Sequence, residues 1–169
     1  MDTIECILSR RSIRKYKSQP ISGDVAQKLI EAGAAAPSAA NQQPCHFIII
    51  DDRDILNAIA KENPHAGMLA NAPFAIAICF DSNPKPFPGL VIDDCSAAAE
   101  NILLAANGLG FGSTWLGIHH DEVKQKNAKA ALKLPDGVKI ASIISVGIPD
   151  ESPAAHSKIK PEMIHKNGW

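Results

Sequence analysis

Residues 91–107 are the segment that most restricts how this chain can fold. The segment is rich in alanine, and its small and apolar side chains recur at helical spacing on several sides of the predicted helix instead of along one stripe. These positions are Val91, Cys95, Ala98, Ala99, Ile102, Leu103 and Ala106. Because such a helix needs neighbours on more than one side, we expect it at the centre of the fold, with Gly108 as its C-cap.

Shorter helices and strands alternate along the rest of the chain. Apolar residues at helical spacing predict helices over 3–10, from an N-cap at Ser22 to just before Pro37, and over 52–61 and 121–132. Apolar runs rich in β-branched or aromatic residues predict strands over 46–50, 74–80, 113–118 and 138–146. The proline-bounded segment 37–44 and the Pro/Gly-rich segment 81–89 are expected to be loops. Residues 150–169 lack a period but contain spaced apolar side chains, so we expect this tail to lie on a surface that buries them.

The composition is that of one globular domain. The chain has 169 residues, of which 46% are hydrophobic and 21% are charged, and this excludes a disordered or fibrous protein. No internal repeat and no second domain boundary is evident. We therefore predict a single domain over residues 1–169.

The charge balance and the cysteine positions limit the kinds of partner that the chain attracts and the cellular compartment that it occupies. Seventeen Lys and Arg residues against 18 Asp and Glu residues leave a net charge of −1, which gives no overall attraction to nucleic acid or to a membrane surface. The apolar runs are far shorter than the ~20 residues of a membrane span, and the acidic start is unlike a signal peptide. The four cysteines are far apart, which favours free thiols over a zinc site or disulfides. These features predict a cytoplasmic protein.

Several familiar motifs are not satisfied. Glycines at 108, 110 and 112 suggest a dinucleotide-binding fingerprint, but Ser113 stands where a further Gly or Ala is needed, and a helix precedes the glycines instead of a strand. The chain has no G-x-S-x-G elbow and no Walker loop. The adjacent His119 and His120 are poor partners for one metal ion, and Asp93 and Asp94 are better explained by a helix dipole than by a catalytic dyad.

A basic segment near the N-terminus has two explanations. Its cations, with no acidic residue between them, are Arg10, Arg11, Arg14, Lys15 and Lys17. They form either a solvated surface or a phosphate site that includes the hydroxyl of Ser12. A second basic pair, Lys158 and Lys160, lies in the tail, and composition alone leaves both explanations open.

Four motifs in a fixed order carry a family resemblance. They are Arg-Arg-Ser-Ile-Arg at 10–14, Pro-Ser-Ala-Ala-Asn-Gln-Gln-Pro at 37–44, Gly-Leu-Gly-Phe-Gly-Ser-Thr-Trp-Leu-Gly at 108–117, and Lys-Ile-Lys-Pro at 158–161. Together they resemble the FMN-dependent nitroreductase family, over nearly the whole chain. The resemblance implies an α+β fold with a central, mostly antiparallel sheet flanked by helices.

The resemblance also implies how subunits assemble. Members of the family are homodimers with two FMN sites, each at the subunit interface. Residues 150–169 would wrap around the partner and add a strand to its sheet, which would explain an aperiodic tail with apolar side chains.

Site residues follow from the resemblance position by position. Arg10 and Ser12 match positions that hold the phosphate and ribityl chain of FMN, with Arg11 beside them. Arg14 matches a basic position near the pyrimidine edge of the flavin. The remaining matches are Lys158 and Lys160 for the phosphate, Pro37, Ser38, Ala39 and Asn41 for the loop that the other subunit lays against the ring, and Leu116 and Gly117 for backbone N–H groups that face flavin N5 and O4.

The chain departs from the family pattern in three places. Ala39 stands where the family often has a second hydroxyl. The helical insertion that forms a substrate lid in larger members is reduced to segments 61–67 and 81–89. A polar contact to the pyrimidine edge before the second strand has no clear match, and Asn63 and His65 are the candidates.

The implied function is that of a flavin oxidoreductase. Reducing equivalents would pass from NADH or NADPH through FMN to a nitroaromatic, quinone or similar small acceptor by a ping-pong mechanism, and no side-chain acid or base would be required. Three alternatives stay open: a flavin-fragmentation or dehalogenation enzyme of the same fold, a flavin-binding or redox-sensing module without turnover, and a phosphate-binding domain without flavin.

Overall fold

Four antiparallel strands form the central sheet of the computed structural model, which describes residues 2–83, 86–154 and 159–169. The strands are β1 (His46–Ile50), β2 (Phe74–Asp81), β3 (Gly112–Gly117) and β4 (Val138–Gly147). Their order in the sheet is β1-β2-β4-β3, so β1 and β3 are the edge strands. Each strand lies within a residue of its predicted range, because each is a short apolar run bounded by turn residues or helix caps.

Within the described ranges, five α-helices surround the sheet. They are α1 (Thr3–Ser9), α2 (Gly23–Ala34), α3 (Arg53–Lys61), α4 (Val91–Gly108) and α5 (Glu122–Ala131). The carboxylates of Asp2, Asp52 and Asp121 each accept two backbone N–H groups at the start of α1, α3 and α5. Ser22 does precede α2, but its side chain makes no capping hydrogen bond.

The end of α4 differs from the prediction. Gly108 is the last helical residue, and Leu109 is the C-cap. The left-handed conformation that ends a helix occurs at Gly110, with φ of +83°. The first glycine after an apolar run is therefore a poor guide to the cap when further glycines follow it.

The sheet separates two hydrophobic layers. Alternate residues of β2 point to opposite faces, so that Ile76 and Ile78 pack with α2 and α4, whereas Ala75 and Ala77 pack with α3 and α5. Helix α4 is buried at positions on several sides, which confirms it as the central helix. A Cβ at Gly33 of α2 would lie 2.9 Å from Cγ1 of Ile102, so glycine is what permits this close helix contact.

The basic segment, residues 10–17, is fixed along the edge of the sheet next to β3. Ile13 N–H donates to the carbonyl oxygen of Ser113 at 3.0 Å, and Lys17 N–H donates to that of Ile148 at 2.9 Å. Gly112 and Gly147 face each other in the β3–β4 register. A Cβ at Gly112 would lie 2.7 Å from Ile13, and one at Gly147 would overlap the ring of Tyr16. These two glycines form a slot for the side chains of the basic segment.

Candidate functional site

A cavity of about 600 Å³ opens where β3 meets the basic segment. Arg14 lies on one side of it, and Trp115, Leu116 and Gly117 of β3 form another side. Asn63 and His65, from the turn after α3, complete the wall. The structure therefore brings these sequence candidates together with Arg14, Leu116 and Gly117, although they are far apart in sequence.

The outer edge of β3 supplies backbone donors to this cavity. The carbonyl oxygen of Ser113 accepts Ile13 N–H on that edge, whereas Ile118 N–H donates inward to Ala141 of β4 at 3.2 Å. Because backbone groups alternate in direction along a strand, the N–H of Gly117 points outward and that of Leu116 points to β4. The expectation that both N–H groups face a ligand is thus wrong for Leu116, whose position is paired with Ile143.

Asn63 is almost fully buried, with 4% of its surface exposed. Its side-chain oxygen accepts the backbone N–H of His65 at 3.0 Å, which shapes the turn that lines the cavity. Lys124 of α5 also lines the cavity and forms a salt bridge of 3.1 Å with Asp121. Sequence reasoning missed Lys124, because nothing in an ordinary amphipathic helix distinguishes it from other exposed lysines.

A second cavity, of about 610 Å³, is strongly basic. Its walls include Arg10, Arg11, Ser12, Arg14 and Lys15. Arg14 lines both cavities, so the two spaces meet at this side chain. The basic segment is therefore not only a solvated surface, because its cations converge on a concave space.

The three arginines of this segment have different roles. Arg10 forms a salt bridge of 3.4 Å with Glu100 of α4. Arg11 donates to the carbonyl oxygens of Leu8 at 2.8 Å, Arg10 at 2.7 Å and Ala154 at 3.3 Å, so it ties the end of α1 to the tail.

Arg14 and Lys15 differ from both, because neither side chain has a hydrogen-bond or salt-bridge partner among the described residues. These two cations are thus available to an anionic ligand.

Among the described residues that line the basic cavity, only Glu151 is acidic, and sequence reasoning missed it. Its carboxylate accepts the backbone N–H groups of Arg14 at 2.5 Å and Lys15 at 3.1 Å. The bond from Arg14 is the largest cause that lowers the pKa of Glu151, so this carboxylate is ionised at neutral pH. It holds the backbone of the basic segment in place, while the side chains of Arg14 and Lys15 have no hydrogen-bond or salt-bridge partner among the described residues.

The loop 37–44 is strained. Ala40, Asn41 and Gln43 have φ values of 44°, 57° and 46°, a conformation that side chains other than glycine rarely adopt. Pro37 and Ser38 line a separate cavity of about 250 Å³, away from Arg14. Within one chain, the structure does not join this loop to the cavities around the basic segment.

A buried carboxylate holds the strained loop. Asp94, only 7% exposed, accepts Ala39 N–H at 2.9 Å and the side-chain amide of Gln42 at 2.6 Å. Gln42 in turn accepts the N–H of Phe87 at 3.1 Å and donates to its carbonyl oxygen at 3.3 Å. The dipole explanation of Asp94 is therefore incomplete, since this residue joins the loop to α4 and to segment 81–89.

The tail contains the remaining site candidates, Lys158 and Lys160, and several apolar side chains. Lys158 lies outside the described residues, and Lys160 is exposed at the start of the 3-10 turn Pro161–Met163. Several large apolar side chains on the tail and on α1 are exposed in the single chain: Ile4, Ile7, Leu8, Ile159, Met163, Ile164 and Trp169. No residue of α1 is buried. Both segments therefore expose apolar side chains that none of the described residues buries.

Over residues 2–83, 86–154 and 159–169, no group of three or more His, Cys, Asp or Glu side chains could bind a metal ion. Within the same ranges, no helix has the length and apolar character needed to cross a membrane.

Comparison with known proteins finds a family and relatives that match most or all of the chain. The model of the nitroreductase family matches residues 7–67 and 60–148. A protein of Methanothermobacter thermautotrophicus, provisionally named NADH dehydrogenase/NAD(P)H nitroreductase, is 37% identical over 169 residues, which are 100% of this chain and 88% of that protein.

Two solved structures are similar in fold. An FMN-dependent nitroreductase from Clostridium difficile superimposes with a TM-score of 0.89 and 30% identity, covering 98% of this chain and 99% of the other. The NADPH:FMN oxidoreductase from Vibrio harveyi, complexed with NAD+, has a TM-score of 0.84 and 27% identity, covering 99% of this chain and 77% of the other. The α+β fold with helices on both faces of an antiparallel sheet is thereby confirmed.

Proposed function

The chain belongs to the nitroreductase family, and we propose that it is an FMN-dependent oxidoreductase that takes reducing equivalents from NADH or NADPH. The electrons pass to a small acceptor such as a quinone or a nitroaromatic compound, and donor and acceptor bind in turn. The observation that carries this proposal is the pair of adjoining cavities that share Arg14.

The donor set fits the two ends of FMN. A phosphate dianion in a partly enclosed site needs several charged donors, and Arg10, Arg14, Lys15 and the hydroxyl of Ser12 line the basic cavity. A flat, polar-edged ring needs an apolar wall and a few fixed donors, which Trp115 and the outward N–H of Gly117 provide in the other cavity.

Within this site the protein supplies position and charge, while bound FMN would supply the two-electron chemistry. Arg14 places a permanent positive charge where the two cavities meet and so favours negative charge on a ligand there. Gly117 N–H is a preorganised donor at the open edge of β3. Tyr16 stays protonated, because burial raises its pKa to about 12, and it supports the segment by donating to the carbonyl oxygen of Ile13 at 2.7 Å.

The loop and the tail make sense in a homodimer. We propose that residues 1–169 form one domain, that Pro37, Ser38, Ala39 and Asn41 lie against the FMN ring of the partner, and that residues 150–169 embrace that partner. The exposed apolar side chains of α1 and of the tail support this assembly, because a surface of this kind is expected to be buried by a second subunit. A cytoplasmic location is part of the same proposal.

Electron transfer can be tested directly on the purified protein. We expect the visible absorbance of oxidised flavin, its loss on anaerobic mixing with NADH or NADPH, and its return when a quinone or nitroaromatic compound is added. The nucleotide that reduces the flavin faster, NADH or NADPH, is the preferred electron donor. Protein that contains flavin but is reduced by neither nucleotide would instead be a flavin-binding module, and protein that binds no FMN would contradict the proposal.

The basic tail pair gives a second test. If Lys158 and Lys160 bind the phosphate, each contributes roughly 1.5–3 kcal/mol, so Lys158→Ala/Lys160→Ala weakens FMN by about two orders of magnitude or more. Riboflavin, which lacks the phosphate, is bound as before. Lys166→Ala is the matched control, since it removes another exposed tail lysine. An unchanged preference for FMN over riboflavin in the double variant would make the pair ordinary surface charges.

A further inference from the structure

Two cysteines that are distant in sequence meet beside the strained loop. Cys45 follows the loop 37–44, and Cys95 lies in α4 one residue after Asp94. Their Sγ atoms are 3.6 Å apart, although 50 positions separate them along the chain. This is within S–H···S hydrogen-bond distance. The absence of close cysteine spacing in the sequence therefore does not exclude a pair of thiols in space.

The two thiols differ in accessibility. Cys45 is half-buried and lines the cavity of about 250 Å³ that also contains Ser38 and Asp94. Cys95 is 1% exposed and lies behind it. A small reagent that enters this cavity meets Cys45 first.

The two thiols also differ in acidity. The hydrogen bond with Cys95 lowers the pKa of Cys45, against the opposing effects of burial and of the Asp94 charge. The same contact, together with burial, raises the pKa of Cys95. Since the thiolate is the reactive form, Cys45 is the attacking sulfur and Cys95 the second one.

We propose that Cys45 and Cys95 form a redox site that is separate, within one chain, from the cavities around Arg14: an oxidisable dithiol whose substrate is a hydroperoxide. The Cys45 thiolate attacks one peroxide oxygen, the O–O bond breaks, and with hydrogen peroxide the products are a sulfenic acid on Cys45 and, after protonation, water. The Cys95 sulfur then attacks the Cys45 sulfur and a second water leaves. Overall, two thiols are oxidised to one disulfide while one hydrogen peroxide is reduced to two waters.

The bond requires only a short local movement. A disulfide has an S–S distance of about 2.05 Å, so the sulfurs must approach by about 1.5 Å from their present separation. Cys45 adjoins the loop with three left-handed residues, whereas Cys95 is fixed within a buried helix. The approach would move the loop side, and the disulfide would join that loop covalently to α4.

Peptide mapping of the full-length protein tests this site without any nicotinamide, so the result is independent of the proposed electron transfer. The reduced protein is treated with hydrogen peroxide, its remaining thiols are alkylated, and it is digested without reductant. We expect a linked peptide pair containing Cys45 and Cys95, with the mass of two hydrogen atoms missing, which dithiothreitol reverses.

The other two cysteines are internal references. Cys6 is also half-buried, but its Sγ donates to the carbonyl oxygen of Leu104 at 3.2 Å, and burial raises the pKa of Cys79 to about 12. Both should remain open to alkylation after unfolding. Loss of Cys6 at the same rate as Cys45, or oxidation without the linked pair, would overturn the proposal.

A variant separates the two chemical steps. In Cys95→Ala the sulfenic acid on Cys45 has no second thiol to attack it, so it should accumulate and react with dimedone, whereas Cys6→Ala should still form the linked pair. A Cys95→Ala protein without dimedone label on Cys45 would contradict the assigned order. The mapping of the unmodified chain decides the proposal even if this variant folds poorly.

Discussion

Replacement of Asp94 by asparagine would test whether a buried carboxylate holds the loop 37–44 in its strained conformation. The carboxylate accepts from Ala39 N–H at 2.9 Å and from the amide of Gln42 at 2.6 Å. An asparagine oxygen can still accept one of these donors, but its amide group then faces the other donor. Gln42 has no freedom to turn over, because its own oxygen and nitrogen are both bonded to Phe87.

The expected cost follows from this arrangement. Hydrogen bonds to charged groups contribute about 1.5–3 kcal/mol each, so the loss of one in Asp94→Asn should lower the free energy of unfolding by roughly 2 kcal/mol. Asp93→Asn is the matched control, because Asp93 lies in the same first turn of α4 but is exposed. Both substitutions remove the same favourable charge near the helix N-terminus, which contributes about 0.3–1 kcal/mol. The difference between the two variants therefore isolates the loop contacts.

Urea unfolding followed by circular dichroism measures both free energies. Limited proteolysis adds a local readout, since a released loop should be cleaved within 37–44 before the rest of the chain is cut. If Asp94→Asn and Asp93→Asn lower stability equally and the loop stays resistant, Asp94 acts only through the helix dipole. The account of the loop given above would then be wrong.

Four further predictions concern the basic segment and the tail. Gly147→Ala forces a methyl group into the ring of Tyr16 and should lower the free energy of unfolding by about 1–3 kcal/mol, whereas Gly117→Ala, with nothing within 4 Å of the added Cβ, should not. Equal effects of the two substitutions would contradict the claim that glycine is needed at 147 to make room for Tyr16. Arg14→Gln should make the bound flavin harder to reduce, by about 30 mV if about 1.4 kcal/mol of charge stabilisation is lost, while Lys17→Gln, outside both cavities, should leave the potential unchanged in the same redox titration. Because the folded pKa of Glu151 is lowered, its stabilising contribution is complete above the unfolded pKa of about 4.3 and disappears as the pH falls through the folded pKa. In Glu151→Gln the free energy of unfolding should therefore depend less on pH in the acid range, and an unchanged pH dependence would exclude this linkage. Deletion of residues 150–169 should abolish both the dimer and flavin retention, and a truncated chain that stays yellow and dimeric by light scattering would refute the role of the tail.

The elements of the fold were predictable because local sequence determines them. The strand His46–Ile50 and the helices Arg53–Lys61 and Glu122–Ala131 depend on residues within a few positions of each other. The central position of helix α4 was recognisable because its small and apolar residues lie on several sides of the helix, where neighbouring elements can pack closely against them. The order of strands in the sheet was not derivable in this way, since it depends on contacts between segments far apart in the chain.

The site was predictable to a smaller extent. The family resemblance matched Arg10 and Ser12 to the phosphate and ribityl chain of FMN and Arg14 to the pyrimidine edge, and the structure places all three side chains on the wall of one cavity. The direction of the Leu116 N–H was not predicted, because strand phase is set by the pairing of β3 with its neighbours. Glu151 and Asp94 act through backbone N–H groups that no sequence motif reveals.

The glycine slot has a consequence for how this protein could diverge. The positions of the cations in the basic segment depend on the lack of a side chain at Gly112 and at Gly147. A larger residue at either place would push Ile13 or Tyr16 away from the sheet and carry the neighbouring arginines with it. Anion affinity can therefore change without any change in net charge, through uncharged substitutions on the sheet. A search for variants with altered cofactor preference should include these two positions as well as the arginines.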